Sequence, residues 1–153
     1  MRTPQWIKKL TGTAGEYFVA AELSKRGIIN ALLPENFSDD DIMVARKDGK
    51  DNGSIQVKAC HPDRGNSFPL YDKHEEWEKA ESNQYVVFVL LGSPKNNEPP
   101  RFWIATKKEV GKACKEHPCH GTENSERRFS IQGKIAIKTE WENNWNVFKK
   151  YMP

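Results

Sequence analysis

The sequence predicts an α/β fold in which helices flank one central mixed β-sheet. Two observations carry this prediction: a helical segment comes first and leads into a run of short strands, and further helical segments then alternate with strands. That order of elements is typical of packed layers around a single core. With 153 residues and no internal repeat, positions 1–153 are expected to form one domain.

The first helix is predicted over residues 11–26. Apolar side chains recur there at helical spacing, Thr11 or Thr13 can cap the N-terminus, and Gly27 ends the segment. A first strand is expected over residues 28–33, where Pro34 stops it.

The next two strands contain the most informative residues of the chain. An acidic cluster, Asp39-Asp40-Asp41, runs into the apolar segment 42–44, and a second strand follows over residues 54–59. The polar segment between them contains Asp-Gly and Asn-Gly pairs, which are strong β-hairpin signals. Gln56 and Lys58 lie two residues apart, so they point to the same face of the second strand. We therefore expect antiparallel neighbours, with the acidic cluster close to Gln56 and Lys58.

The remaining elements are predicted from turn residues and apolar spacing. Residues 85–91 are almost wholly apolar and predict a strand buried on both faces near the centre of the sheet. The other predictions are a loop over 61–70, a short helix over 71–82, a strand over 101–105, a helix from Thr106 to about Lys115, a strand or hairpin over 129–138, and a helix over 140–151.

Composition and charge restrict the class of protein. Hydrophobic residues make up 37% and charged residues 29% of the chain, as in soluble globular proteins, and no apolar run is as long as a membrane span. We therefore expect no membrane partner. The start of the sequence lacks a secretory signal and the three cysteines do not form a set of pairs, so a cytoplasmic location is predicted. The net charge of +3 is compatible with nucleic acid but does not demonstrate it.

The strand residues have the chemistry that metal-dependent phosphodiester hydrolysis needs. Mg²⁺ (or Mn²⁺) is held by oxygen ligands and keeps several waters, so few protein ligands suffice. Asp41 supplies a carboxylate, Gln56 a side-chain carbonyl, and Val57 a backbone carbonyl. Lys58 is then left for the phosphate or for the attacking water. Glu16, on the first helix, could add a second carboxylate.

These residues also carry a family resemblance. The succession Gly15-Glu16, Gly27, Asp41-Ile42-Met43-Val44 and Ile55-Gln56-Val57-Lys58 resembles the PD-(D/E)xK nuclease superfamily, in particular its restriction-endonuclease-like and intron-endonuclease-like members. The resemblance implies a restriction-endonuclease-like sheet and a DNA substrate. It also implies that Asp41 and Gln56 bind the metal, that Lys58 is the catalytic lysine and that Glu16 is the helix carboxylate.

Two departures from the family pattern leave alternatives open. No proline precedes Asp41, so Asp40 is a rival ligand, although Asp41 is preferred because it adjoins the apolar strand. Gln56 replaces the usual acid and brings no negative charge, so metal binding is expected to be weaker. A nucleic-acid-binding domain of the same fold without cleavage activity is therefore the alternative to a DNA endonuclease.

A third hypothesis is a zinc-stabilised interaction domain. Cys114, His117, Cys119 and His120 lie close together in the sequence, but they lack the paired spacing of structural zinc sites. We expect them to be incidental and the fold to need no zinc. DNA is the expected partner, and the oligomeric state is left open, with a homodimer as one candidate.

Overall fold

The protein has a central mixed β-sheet between two helical layers. The computed structural model describes residues 2–36, 38–117, 127–131 and 135–153. Its α-helices and strands are α1 (Gln5–Lys25), β1 (Ile29–Leu32), β2 (Ile42–Ala45), β3 (Asn52–Cys60), β4 (Ser67–Leu70), β5 (Gln84–Leu90), β6 (Arg101–Thr106), α2 (Lys107–Glu116) and β7 (Arg127–Ser130). Short 3₁₀ helices cover Pro62–Arg64, Asp72–Lys79, Thr139–Trp141 and Trp145–Tyr151.

The five strands of the main sheet follow the order β1-β2-β3-β5-β6, and β4 pairs with β7 apart from them. Strands β2 and β3 are antiparallel with Ile42 opposite Ile55, which confirms the predicted hairpin. Strand β5 lies between β3, to which it is parallel, and β6, to which it is antiparallel. Residues 85–89 are all buried, which confirms a strand covered on both faces.

Each face of the sheet has its own hydrophobic core. On one face, Val19 and Leu23 of α1 pack with Ile55 and Val87 and with the C-terminal aromatic residues. On the other face, Val110 of α2 packs with side chains from β4, β5, β6 and β7. This layered arrangement confirms the predicted class of a mixed sheet flanked by helices. Within the described ranges, every helix is too short or too polar to span a bilayer.

Helix α1 begins earlier than predicted. It starts at Gln5 after Pro4, without a side-chain cap. Thr11 lies inside the helix, where its hydroxyl donates to the carbonyl of Ile7 at 2.9 Å. A threonine can satisfy its hydroxyl within a helix as well as cap one, so residue type alone did not locate the start.

Two further predictions were wrong. The segment 61–70 is not a loop throughout, because it contains β4, whose Phe68 lies opposite Phe129 of β7. The segment 140–151 forms two 3₁₀ helices instead of one α-helix. Trp141 packs on one face of the sheet, whereas Trp145 and Phe148 pack on the other. The three rings are buried as core residues, but the chain turns around the edge of the sheet between them.

The prediction for residues 129–138 is only partly covered. Strand β7 ends at Ser130, which forms an isolated bridge with Ala136. The predicted turn at Gly133 lies outside the described residues.

Candidate active site

Strands β2 and β3 separate at Asp41. The backbone N–H of Asp41 donates to the carbonyl of Ile55 at 2.8 Å, one residue out of register with the ladder, in which Ile42 lies opposite Ile55. Beyond it, the N–H of Val57 donates to the Oδ2 atom of Asp41 at 2.7 Å. A side-chain carboxylate thus replaces the backbone partner that a continued β2 would have supplied. The N–H and C=O groups of one strand residue point to the same neighbouring strand, so the Val57 carbonyl faces the same gap.

Helix α1 brings Glu16 to this gap. The helix crosses β3 closely at Gly15, where an added Cβ atom would lie 2.6 Å from the Cβ of Ala59. Only glycine permits this approach without displacement of the helix. Glu16, the next residue, hydrogen-bonds through its carboxyl group to Asp41. The structure therefore brings Glu16, Asp41 and Val57 together.

The two carboxyl groups perturb each other's pKa. Burial, then the charge of Asp41 and the hydrogen bond to it, raise the pKa of Glu16 to about 7. Burial also raises the pKa of Asp41, against the opposing effects of the Val57 hydrogen bond and the Lys58 charge. The hydrogen bond between them raises the pKa of Glu16 and lowers that of Asp41. Two acids held this close favour a bound cation.

We expect the metal-free protein to lose stability as the pH rises, and Glu16→Gln to remove this loss. The pKa of Glu16 in the folded state, about 7, lies above its ordinary value of 4.5. Its contribution is therefore full below about pH 4.5 and is lost as the pH rises through about 7. We expect a loss of roughly 1 to 2 kcal/mol once solvent screening of this half-buried group is included.

Calorimetric melting in a chelator across this pH range measures the effect. Glu81→Gln, at an exposed carboxylate, serves as the control and should keep the pH dependence of the parent protein. If stability depends on pH in the same way in Glu16→Gln and in the parent protein, the pKa of Glu16 is not raised in the folded state.

Lys58 lies beside the carboxyl pair. It follows Val57 on β3 and is partly buried. Burial, then the neighbouring charge of Lys73, lowers the pKa of Lys58, and Asp41 and Asp39 oppose this shift. A lysine with a lowered pKa gives up a proton more readily than an exposed one. Lys58 can therefore act either as a positive charge or, in its neutral form, as a proton acceptor.

Gln56 opens onto a cavity of about 280 Å³ that it shares with Asp39, Lys107 and Trp77. The Oε1 atom of Gln56 is buried and has no hydrogen-bond partner among the described residues. A buried oxygen without a donor is uncommon and indicates a missing partner such as a cation or a water. The position of Gln56 as a metal ligand stays a prediction.

The rival ligand Asp40 already has a partner. Its Oδ1 atom lies 2.6 Å from the Nζ atom of Lys107, and both side chains are largely buried. This ion pair favours Asp41 as the carboxylate of the site. Lys107 itself was not predicted from the sequence. The available signal was a lysine in the first turn of a helix, where the helix dipole disfavours a cation.

The residues present fit a hard divalent cation. Two carboxyl groups and the Val57 carbonyl face one gap, and Mg²⁺ is bound in this way when waters complete its shell. Within the described part of the chain, no group of three or more His, Cys, Asp and Glu side chains is arranged to hold a metal. A cation in the gap would therefore depend on carbonyl oxygens and water as well as on Glu16 and Asp41.

The cysteine and histidine cluster is only partly covered. Cys114 is buried in the core behind α2, and His117 follows the end of that helix. Cys119 and His120 lie outside the described residues, so the expectation that the fold needs no zinc stays a prediction.

Comparison with known proteins bears on the fold. The sequence matches no protein-family model, and the search of curated proteins gave no significant match. Among solved structures, the protein is similar to the bacterial homing endonuclease I-Ssp6803I, with a TM-score of 0.54 and 12% sequence identity. The alignment covers 93% of this chain and 92% of that one. The protein thus shares the fold of a homing endonuclease over nearly its whole length.

Proposed function

We propose that the protein is a Mg²⁺-dependent DNA endonuclease with a PD-(D/E)xK-type site. The observation that carries this proposal is the pair of carboxyl groups, Glu16 and Asp41, that lie together at the gap between β2 and β3. Two acids held together raise the free energy of the metal-free protein, and a divalent cation relieves that cost.

The chain's own residues have separate tasks in this proposal. Asp41, Glu16 and the Val57 carbonyl would hold the cation, with Gln56 as a further oxygen donor. A cation held there would polarise the phosphate and make water a better nucleophile. Lys58, with its lowered pKa, either takes a proton from the attacking water or stabilises the charge that develops on the phosphate.

The choice of DNA as substrate has two supports. The structural neighbour is a homing endonuclease, and the sequence of this chain resembles the PD-(D/E)xK nuclease superfamily. A shared fold does not itself carry an activity, so the hydrolytic reaction is argued from the carboxyl pair and Lys58.

Cleavage of supercoiled plasmid tests the proposal. We expect nicking by the purified protein in Mg²⁺ or Mn²⁺ and none after addition of a chelator. A panel of plasmids and phage DNAs reduces the chance that a specific target sequence is missing. Binding of DNA without any metal-dependent nicking across that panel would overturn the proposal and support the non-cleaving alternative.

The non-cleaving alternative is favoured by one observation, the neutral side chain of Gln56. We expect Gln56→Glu to tighten Mg²⁺ binding, because a carboxylate replaces an amide at nearly constant volume. A gain of roughly 1 kcal/mol, or about fivefold, is expected for one added charge near the cation. Calorimetric titration of Mn²⁺ measures it, and Gln84→Glu, a half-buried glutamine at the start of β5, serves as the control. Equal gains in both variants would show that Gln56 does not face the cation.

A further inference from the structure

Lys107 occupies a position that two physical effects disfavour. It is the first residue of α2, where the helix dipole opposes a positive charge, and only 6% of the residue is exposed. A lysine this buried needs a partner, because its desolvation is otherwise too costly. The partner is Asp40, at 2.6 Å, and the ammonium group also lies 5.4 Å from the centre of the Trp77 ring.

The ion pair joins a rigid element to an irregular segment. Helix α2 is fixed by Val110, Ala113 and Cys114, which are buried in the core. Asp40, by contrast, precedes β2 and lies outside every helix and strand. Its backbone makes local bonds with Ser38, whose hydroxyl accepts from the N–H and donates to the carbonyl of Asp40, each at 3.1 Å. Lys107 therefore ties Asp40 to the second helical layer.

Asp41 comes directly after Asp40. Its carboxylate must face the N–H of Val57 and the carboxyl group of Glu16 for the site to form. The backbone of Asp41 is itself held, since its N–H donates to the Ile55 carbonyl and its C=O accepts from the Leu33 N–H. Release of the Asp40 side chain would therefore free the chain before Asp41 and the Asp41 side chain, and the carboxylate would leave the gap. A displacement of about 1 Å at a reacting group can reduce a rate by roughly a hundredfold.

We propose that Lys107 is a positioning residue of the site, which holds the Asp41 carboxylate in the gap through its ion pair with Asp40. This inference deepens the proposed nuclease function and rests on it for its catalytic consequence. Its structural consequence, the placement of Asp41 against Val57, does not depend on catalysis.

The experiment compares Lys107→Met with Lys108→Met in the full chain. Lys108 is the next residue of the same helix and is exposed, so its replacement removes an equal charge from the same region. We expect Lys107→Met to reduce kcat for plasmid nicking by about a hundredfold. The KM for DNA should change by less than about twofold, because Lys107 is only 6% exposed and its charge is paired with Asp40. Lys108→Met should have the same kcat and KM as the parent protein.

Amide hydrogen exchange measures the position of Asp41 directly. The N–H of Val57 is held by the Asp41 carboxylate, so it should exchange at least about tenfold faster in Lys107→Met. The N–H groups within the paired ranges Ile42–Ala45 and 52–55 report whether the β2–β3 ladder as a whole has opened. Unchanged exchange at Val57 would overturn the inference, as would equal acceleration throughout β2 and β3.

A double variant separates positioning from folding. Lys107→Met with Asp40→Asn leaves no unpaired buried charge, and replacement of a buried ion pair is often tolerated by the fold. We expect its melting temperature to recover toward the parent value while kcat stays low. If kcat recovers together with the melting temperature in the double variant, the inference is overturned. A higher KM and a smaller salt dependence of DNA binding in Lys107→Met would also overturn it, since they indicate a direct phosphate contact.

The proposed function and the positioning role can fail separately. If the parent protein does not nick DNA, the proposed function fails. The Val57 exchange rates in Lys107→Met and Lys108→Met still decide whether Lys107 positions Asp41.

Discussion

Replacement of Lys58 by alanine is expected to reduce Mg²⁺-dependent nicking by roughly 10²- to 10⁴-fold, the range for loss of a positioned proton-transfer or charge-stabilising group. Lys58 lies beside the carboxyl pair, and its lowered pKa places it among groups able to exchange a proton. Single-turnover nicking of supercoiled plasmid measures the effect on the chemical step. DNA affinity at two salt concentrations should change little, because one phosphate contact contributes a modest electrostatic term.

Two further variants test the specificity of this effect and the role of the Lys58 side chain. Lys50→Ala removes an exposed lysine from the β2–β3 turn and should leave cleavage unchanged. Lys58→Arg keeps the positive charge but cannot give up a proton. A role in proton transfer predicts that Lys58→Arg is as inactive as Lys58→Ala, whereas a role in charge stabilisation predicts partial activity. Cleavage that survives Lys58→Ala would show that the chemistry lies elsewhere.

Local signals in the sequence were sufficient to predict the β2–β3 hairpin, which contains Asp41 and Val57. The Asp-Gly and Asn-Gly pairs and the apolar segments on either side place β2 and β3 as antiparallel neighbours. Once that pairing is known, Asp41 and Val57 must lie close together. The apolar strand at residues 85–91 was likewise predictable, because a strand buried on both faces has little polar character.

Contacts between distant parts of the chain were not predictable in this way. Strand β4 is short and contains Pro69, and it exists because β7, far along the chain, pairs with it. The path of residues 140–151 depends on the edge of the sheet around which they turn. The ion pair between Asp40 and Lys107 joins residues from different layers, so neither sequence context reveals it. The contact between Glu16 and Asp41 could be suggested from the sequence, but it depended on how α1 packs against the sheet.

The candidate site also illustrates a conflict between stability and function. In a protein selected only for stability, two acids would not be held together in a gap, and a buried glutamine oxygen would have a donor. Such local conflicts are expected where function, and not folding, determines the residues. The site can therefore be tested without knowledge of the DNA target, because removal of one of the two carboxylates should stabilise the metal-free protein.

Asp41→Asn is therefore expected to abolish cleavage and to stabilise the metal-free protein at the same time. The amide oxygen can still accept the N–H of Val57, while the negative charge that raises the pKa of Glu16 is gone. We expect a gain of roughly 1 kcal/mol at about pH 8, where Glu16 is otherwise ionised beside Asp41. Cleavage should fall by at least about a thousandfold, because the site loses its principal metal carboxylate.

Melting temperature in a chelator, Mn²⁺ titration and plasmid nicking measure the three effects. Asp39→Asn is the matched control, since it removes an equal charge from the same acidic cluster at an exposed position. It should neither stabilise the metal-free protein nor reduce cleavage more than about tenfold, because Asp39 is exposed and acts on Lys58 and the Gln56 cavity through its charge alone. Destabilisation in Asp41→Asn would show that the carboxylate is needed by the fold itself. Unchanged Mn²⁺ affinity would show instead that the cation, and with it the hydrolytic reaction, is held by other residues.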